Sequence, residues 1–514
     1  MSGYEACQGA RRDREALSVS PEAILAQSFG NFADLVRRHA ARRPGHAALV
    51  QDERRVSYAE LDRSMDRVAG ALRSDGIGPR DTVAICAANS IEYALLFLGA
   101  LRGGAVAALV PPTAGADSIA KMVVDSHARL SFDQARLAPD AFERWLTDTP
   151  NGAVETAPTP DWPFNIIYSS GTTGAPKGIV QPHSMRWIHM QRGPAYGYDE
   201  TSVTLVATPL YSNTTLVSFF PALAAGGTVV LMGKFDAQAY LALAERKRVT
   251  HAMLVPVQYQ RLMAREDFGR FDLSSFRMKF STSAPFAASL KRDVLERWPG
   301  GLVEYYGMTE GGGTCVLLAH QHPNKLHTVG KPAPGVDLRL IDDVGREVAP
   351  GDAGEVVGHS GAMMSAYHRR PEETAAAEWF DASGKRFIRT GDIGRLDEDG
   401  FLMLLDRKKD VVISGGFNVY PSDLEAVLRG HREVADAAVV GVASVRWGET
   451  PVAFVVAKPG QQSDAAALLQ WVNARVGKVQ RLADLLFIEA LPRNAIGKVM
   501  KRELHDAYRR IKAG

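Results

Sequence analysis

Two periodicities alternate along this chain. Leu61, Met65, Val68 and Leu72 recur every three to four residues and so share one face of a helix, while the run Thr-Val-Ala-Ile-Cys at 82–86 is a short apolar block of the strand type. Further blocks of that kind fall at 204–207, 227–232 and 251–255, with helix-period segments between them. Such alternation predicts stacked α/β layers with largely parallel strands, in which ligands gather at the carboxyl ends of the strands. The most apolar window, 93–110, is interrupted by Arg102-Gly103-Gly104 and stopped by Pro111-Pro112. It reads as a helix ending at the glycines, followed by a buried strand over 105–110, and not as a membrane span. Prolines at 139, 150, 158 and 160 in an Ala/Asp-rich piece mark 134–160 as a surface connection.

The pattern changes character after Leu405. Asp406-Arg-Lys-Lys-Asp410 is a run of five charges, most simply a solvated linker. Beyond it Pro421 opens a helix with Leu424, Val427 and Leu428 on one face and Gly430 closing it. Strands over 437–442 and 451–456, a helix over 465–476 and a last strand over 485–488 complete an α+β unit of domain size. The predicted class is therefore α/β: a large N-terminal domain of layered α/β subdomains over 21–405, a connection over 406–410, and a smaller α+β domain over 411–514. Residues 1–20 lack an apolar segment and are expected to be a disordered leader. A length of 514 residues, too great for one core, agrees with this division.

Composition narrows the function classes. Sixty Lys plus Arg against 58 Asp plus Glu leave a formal charge of +2, so nothing argues for a nucleic-acid partner, and small anionic ligands must be met by local positive groups. Cys7, Cys86 and Cys315 are odd in number and far apart. They suggest a reducing compartment, taken as the cytoplasm, with no disulfide framework and no metal cluster. The C-terminal Ile511-Lys-Ala-Gly514 carries no peroxisomal Ser-Lys-Leu address.

The chemistry concentrates in the stretch Tyr168-Ser-Ser-Gly-Thr-Thr-Gly-Ala-Pro-Lys-Gly178, which lies between the strand-type segments 164–167 and 179–180. Hydroxyl and glycine residues fill a core poorly but hold phosphate well: glycines let the backbone approach an anion, amides and hydroxyls donate to its oxygens, and Lys177 adds a positive charge. Lys177 follows a proline and precedes a glycine, so the loop is not a Walker A motif. In Tyr305-Tyr-Gly-Met-Thr-Glu310 an aromatic beside glycine can stack on a base, a hydroxyl can touch phosphate and a carboxylate can hold Mg²⁺; a strand end followed by a capped helix is the plainer alternative. Arg389-Thr-Gly-Asp392 has the composition of a simple turn, and Lys498 that of a solvent-exposed lysine.

Taken together these stretches resemble, in order, the motifs of the adenylate-forming superfamily, in its acyl-CoA synthetase (carboxylate–CoA ligase) branch. The resemblance implies a cradle for ATP phosphates at Ser169, Ser170, Gly171, Thr172, Thr173, Gly174 and Lys177. It implies adenine, phosphate and Mg²⁺ roles for Tyr306, Thr309 and Glu310, with Tyr305 and Gly307 beside the nucleotide and Thr172 a second metal contact. Asp392 would accept hydrogen bonds from the ribose hydroxyls, and Arg407 would contact ribose and phosphate. Lys409 would be the hinge about which a mobile C-terminal domain turns, with Ser414, Gly415 and Gly416 lining the pantetheine route. Leu491-Pro-Arg-Asn-Ala-Ile-Gly-Lys498 matches the superfamily's Pro-x(4)-Gly-Lys motif, which makes Lys498 the lysine that neutralises charge at the carboxylate and α-phosphate.

The resemblance also locates the acyl pocket. In Thr208-Pro-Leu-Tyr-Ser-Asn-Thr-Thr215, Ser212 stands where many acyl-CoA synthetases carry His, and Asn213 where aryl-acid-activating relatives place an Asn. Asn213 could equally cap a helix through Phe219-Phe220. Tyr211 and Thr214 flank them. No acid occurs between Pro209 and Phe220 to meet an ammonium, which argues against an amino-acid substrate. In Ser281-Thr-Ser-Ala-Pro285, Ser283, Ala284 and Pro285 fall on the nucleotide side. Thr282 replaces a common Gly, and with Phe286 and Cys315 nearby in sequence it suggests a modest acyl site. The implied function is an ATP-, Mg²⁺- and coenzyme A-dependent ligation of an aryl or short- to medium-chain acid through an acyl-adenylate. The partners are a small carboxylic acid, ATP and CoA, without nucleic acid or membrane insertion, and a homodimer is left open. Alternatives are a ligase that loads a separate carrier protein, a catalytically silent nucleotide-binding protein, and a luciferase-like oxygenase.

Overall fold

The computed structural model describes residues 19–147, 156–169, 176–414, 417–461, 464–494 and 497–513. The expected helix and strands appear where the periodicity placed them. Leu61, Met65, Val68 and Leu72 are all buried on the helix Tyr58–Ser74, whose first turn is held by a reciprocal Ser57–Glu60 capping box. The window 93–110 divides into the helix Ile91–Arg102 and the strand Val106–Leu109, both buried. Among the described residues no helix is long and apolar enough to cross a membrane.

Two sheets carry the large N-terminal unit. In the six-stranded sheet, Leu130–Asp133, Thr82–Cys86, Val106–Leu109 and Pro163–Ser169 run parallel in that spatial order. Pro163–Ser169 then turns back as an antiparallel hairpin with Lys177–Pro182. The nine-stranded sheet has a parallel centre, Gly301–Tyr306, Met278–Ser281, His251–Leu254, Val203–Val206 and Thr228–Leu231, with antiparallel edges. Helices between the sheets bury one continuous apolar core, in which Phe32, Phe97, Phe164 and Phe220 meet edge to face. A third, antiparallel sheet built on the long strand Arg386–Leu396 was not foreshadowed by the alternating pattern.

The C-terminal unit is the expected α+β arrangement. Val434–Ser444 and Gly448–Ala457 form a long antiparallel pair, with Asp484–Phe487 parallel to the second, and the helices Pro421–Arg429 and Ala465–Asn473 cover one face.

Three local expectations are corrected. The piece 134–160 is not only a connection: Pro139–Thr147 is a helix that buries Phe142 and Leu146, with Pro139 starting the helix where no N–H is needed. The charges at 406–410 are not a solvated linker. Asp406 is largely shielded and accepts from the Ser422 backbone N–H at 2.9 Å, while Lys408 reaches Asp343 at 2.9 Å and Glu355 at 3.1 Å. The stretch 389–392 is not a turn but part of the strand Arg386–Leu396. Of the expected leader, residues 1–18 lie outside the described residues, and Ser20 caps the helix Pro21–Leu25.

Candidate active site

A cleft of about 1160 Å³ opens where the carboxyl ends of the parallel strands meet the third sheet and the C-terminal unit. That is enough for more than one small ligand. Its walls come from the expected places: Ile167 and Tyr168 at the end of one strand, Thr282 and Ser283 after Met278–Ser281, and Tyr305 to Gly307 at the end of Gly301–Tyr306.

At one end the polar groups are linked to one another. The Tyr306 hydroxyl donates to Asp392 Oδ2 at 2.9 Å, and Asp392 Oδ1 pairs with Arg407 Nε at 3.0 Å. The pairing follows from sheet register, since Asp392 and Arg407 stand opposite each other on adjacent antiparallel strands. Burial, then the neighbouring carboxylate, pushes the Tyr306 hydroxyl well above its ordinary pKa, so it remains a donor.

Glu310 is buried and accepts from the Tyr367 hydroxyl at 2.7 Å. Lys177 lies over the Tyr367 ring at 5.2 Å, which ties the hairpin of Pro163–Ser169 and Lys177–Pro182 to Glu310. Gly311 allows this geometry: its φ is +77°, and a Cβ there would lie 2.0 Å from the Ala362 carbonyl oxygen. The chain can thus turn so that the Glu310 carbonyl accepts from Met364 N–H at 2.7 Å.

Lys498 enters this end from the C-terminal unit, beside Arg407, Arg493 and Asn494. Its pKa is lowered to about 8 by burial, and then by the positive charges of Arg407 and Lys409. A concentration of cations with few acids is a receptor for a polyanion.

At the other end the walls are aromatic. Tyr305 leaves the same strand as Tyr306 but on its opposite face, and stacks with Phe280 at a centroid distance of 5.8 Å and 10° between planes. Tyr196 meets Phe280 and Tyr305 edge-on at 5.5 and 5.9 Å. Tyr211, Ser212, Asn213, Thr214 and Thr282 complete the wall.

The structure corrects several expectations here. Asn213 does not cap its helix. Asn213–Ala224 begins at Asn213 itself, the cap position is Ser212, and no side chain accepts there. Asn213 Oδ1 instead accepts from Gln181 Nε2 at 3.3 Å, and the same amide donates to the Thr309 carbonyl at 2.7 Å. Phe286 and Cys315 do not bound the acyl end: Phe286 stacks on Tyr259 in the core behind it, and Cys315 is buried beside Leu340 and Leu402. Tyr305 belongs to the aromatic end, away from Asp392. Ser283 lines the cleft, whereas Ala284 and Pro285 do not. Ser283 holds φ at +81°, a strained setting for a residue with a Cβ, and shares a 2.5 Å hydrogen bond with Thr214. The 305–310 motif is followed by the strand Cys315–Leu318 and not by a capped helix.

Thr309 and Gly307 line the cleft as expected. Lys409 lies in the short helical turn Lys408–Asp410, with its pKa lowered chiefly by burial. Ser414 is buried on Val412–Ser414 and faces no part of the cleft. Ser169 ends its strand opposite Lys177, while Ser170, Gly171, Thr172, Thr173, Gly174, Gly415 and Gly416 lie outside the described residues. Sequence reasoning missed Tyr367, Gln181 and Tyr196. Gln181 had a faint signal, a polar amide inside an apolar strand; Tyr367 and Tyr196 had none.

Comparison with known proteins accounts for this arrangement. The family model described as AMP-binding enzyme matches residues 36–368, and that described as AMP-binding enzyme C-terminal domain matches 423–498. The chain is 33% identical to an indoleacetate–CoA ligase of Aromatoleum aromaticum, over 93% of this chain and 98% of that one. It is 32% identical to a fatty acid–[acyl-carrier-protein] ligase, ScoC, of Streptomyces coeruleorubidus, over 91% and 95%. The solved structure of ATP-bound MatB from Rhodopseudomonas palustris superposes with a TM-score of 0.83 at 28% identity, covering 93% of this chain and 99% of that one. The chain belongs to the AMP-binding enzyme family, and with that the expected adenylate-forming superfamily, its mixed α/β fold and the acid–thiol ligase reaction class all stand.

Proposed function

We propose that this member of the AMP-binding enzyme family joins an aryl or short- to medium-chain carboxylic acid, lacking an amino group, to the thiol of coenzyme A through an acyl-adenylate. The observation that carries the reading is the convergence of Lys498 from one unit with Arg407, Thr309 and Glu310 from the other around one cleft. An aromatic end lies beside it without a carboxylate to receive an ammonium. In the first half-reaction the acid's carboxylate oxygen forms a bond to the α-phosphorus of ATP as the bond to the β-phosphate oxygen breaks, and pyrophosphate leaves. Lys498 and Arg407 meet the negative charge that accumulates on the α-phosphate. Tyr306 and Asp392 hold the nucleoside, with the carboxylate facing the ribose hydroxyls.

Among the described residues no group of three or more His, Cys, Asp or Glu gathers to hold a metal by itself. A Mg²⁺ ion that keeps waters and shares ATP phosphates needs only one or two carboxylates, and the buried Glu310, with one oxygen engaged by Tyr367, fits that demand. Such an ion would supply charge neutralisation at the departing pyrophosphate.

In the second half-reaction the CoA sulfur attacks the acyl carbon, AMP leaves, and the thiol proton passes to solvent. One cleft must then exchange the lysine for a thiol, and a turn of the C-terminal unit about Lys409 would carry Lys498 out and the segment beginning at Ser414 in. Such a reading places the enzyme in the cytoplasm, where ATP and CoA are found.

Transfer to a separate carrier protein is the second reading, favoured by the relative named as an acyl-carrier-protein ligase. The test is pyrophosphate release from MgATP across aryl, cinnamyl, short- and medium-chain acids, each with and without CoA. Sustained turnover that requires CoA supports the CoA ligase. A single burst that CoA cannot extend sinks the CoA reading in favour of a carrier, and silence with every acid sinks adenylation itself.

A further inference from the structure

The helix His183–Gln191 and the residue that follows it place three basic side chains in sequence behind and beside the aromatic end of the cleft: Arg186, His189 and Arg192. Their spacing of three residues puts them along one side of the helix. Arg186 is wholly buried, with 0% exposure. Its Nε donates to Asn165 Oδ1 at 3.1 Å, and a second nitrogen donates to Gln181 Oε1, so its described partners are amides rather than carboxylates. Its remaining nitrogen, Nη1, is buried without an acceptor. Burial alone lowers the pKa of Arg186 to about 9.

His189 and Arg192 line the cleft directly. Among the described residues the Nδ1 atom of His189 is buried without a partner, and burial, then the charges of Arg186 and Arg192, hold its pKa well below the ordinary value. The backbone N–H of Arg192 donates to the Ile188 carbonyl at 3.3 Å, but among the described residues its guanidinium has no hydrogen bond or ion pair. The carboxylates that line the cleft are engaged at the other end: Glu310 with Tyr367, Glu355 with Arg389 and Lys408, and Glu373 with Arg370. Arg192 is half-buried, and Arg186 behind it is wholly buried without a carboxylate partner among the described residues; a bound anion offsets the cost of such a charge.

We infer that Arg192 is a specificity-determining residue for a second carboxylate, carried on the far side of an aromatic acid whose ring lies among Tyr196, Phe280 and Tyr305. This rests on the adenylating reading above and names the substrate class within it. The first carboxylate is directed to Lys498 and the α-phosphate. The ring fills the aromatic end, and the second carboxylate receives the guanidinium of Arg192, with the charge of Arg186 behind it. Planar, two-pronged donation suits a carboxylate better than a phenol or a halogen. A positively charged ring substituent is rejected by the same field.

The test is acid-dependent exchange of labelled pyrophosphate into ATP, which reads adenylation alone. It compares 3-phenylpropionate with 3-(4-carboxyphenyl)propionate and its meta isomer, in the wild type, Arg192→Gln and Arg192→Lys. The expected result is a kcat/KM for one of the two diacids roughly 10- to 100-fold above that of the monoacid in the wild type. Arg192→Gln should collapse that ratio toward one, and Arg192→Lys should retain part of it. A role for Arg192 only in packing would lower both acids together and leave the ratio unchanged, which would overturn the inference. A wild type that exchanges with the monoacid at least as well as with both diacids overturns it too, while leaving adenylation intact. Absence of exchange with every acid of the broader panel above would remove the adenylating reading itself and this inference with it.

Discussion

Tyr305 and Tyr306 are neighbours on one strand and face opposite ends of one cleft. Tyr306 donates to Asp392 and is part of a closed chain of partners that includes Arg407, while Tyr305 lies flat against Phe280. The end around Tyr306, which the proposed reading gives to the nucleotide, is therefore pre-wired, with donors, acceptors and charges already matched, apart from an excess of cations around Lys498. The end around Tyr305 is an aromatic slot whose polar groups are unspent among the described residues: the Ser212 hydroxyl, Nδ1 of His189 and the guanidinium of Arg192. On the proposed reading, one end meets the nucleotide that every acid shares, and the other leaves groups free to tell one acid from another. Substitutions at the first end should depress all acids alike, and substitutions at the second should reorder them.

The largest effect is expected at Lys498. Lys498→Ala should lower acyl-adenylate formation by roughly 10²- to 10³-fold for every acid, while largely sparing thioester formation from supplied acyl-adenylate. Equal loss of both steps would show that one arrangement of the two units serves both half-reactions. Next, Asp392→Ala should weaken ATP binding by roughly 10- to 100-fold, because it removes a charged acceptor and leaves Arg407 and Tyr306 without their shared partner. An acid ranking that changed in this variant would break the division between the two ends.

A smaller effect should appear in the pH profile. In the proposed role Lys498 acts as the ammonium, and its pKa is depressed to about 8, so its charge is present below that pH and is lost as pH rises through it. The kcat/KM for ATP should fall on the alkaline side with the same limb for all acids, and Lys498→Arg should move that limb upward, since a guanidinium stays charged. A limb whose position varied with the acid would assign it to another group. The smallest effect belongs to Asn213. Asn213→Leu should penalise hydroxylated aryl acids over their unsubstituted analogues by about 2- to 10-fold, measured as a ratio of kcat/KM values. An equal loss with both would make Asn213 a support for Gln181 and the Thr309 carbonyl alone.

The elements were largely legible in the sequence because they are written locally. The helix Tyr58–Ser74 is a period of three to four, and the strands Thr82–Cys86 and Met278–Ser281 are apolar blocks. Errors came where local cues had two meanings. Pro139 could break a helix or begin one, Asn213 could cap or follow a cap, and the charges at 406–410 looked solvated until Asp343, Glu355 and Ser422 came to meet them.

By itself the sequence determined that this chain layers helices on mostly parallel strands, carries a separate α+β unit at its end, and holds in order the residue types that a nucleotide needs. Only the tertiary structure decided which of those residues share a cleft, that Tyr305 turns away from Tyr306, that Tyr367 holds Glu310, and that Arg192 lines the cleft without an ion pair among the described residues. The physical reason is range. Periodicity and turn chemistry act over a few residues, whereas the pairing of Asp392 with Arg407, and of Tyr367 with Glu310, depends on sheet register and backbone approach between segments far apart along the chain.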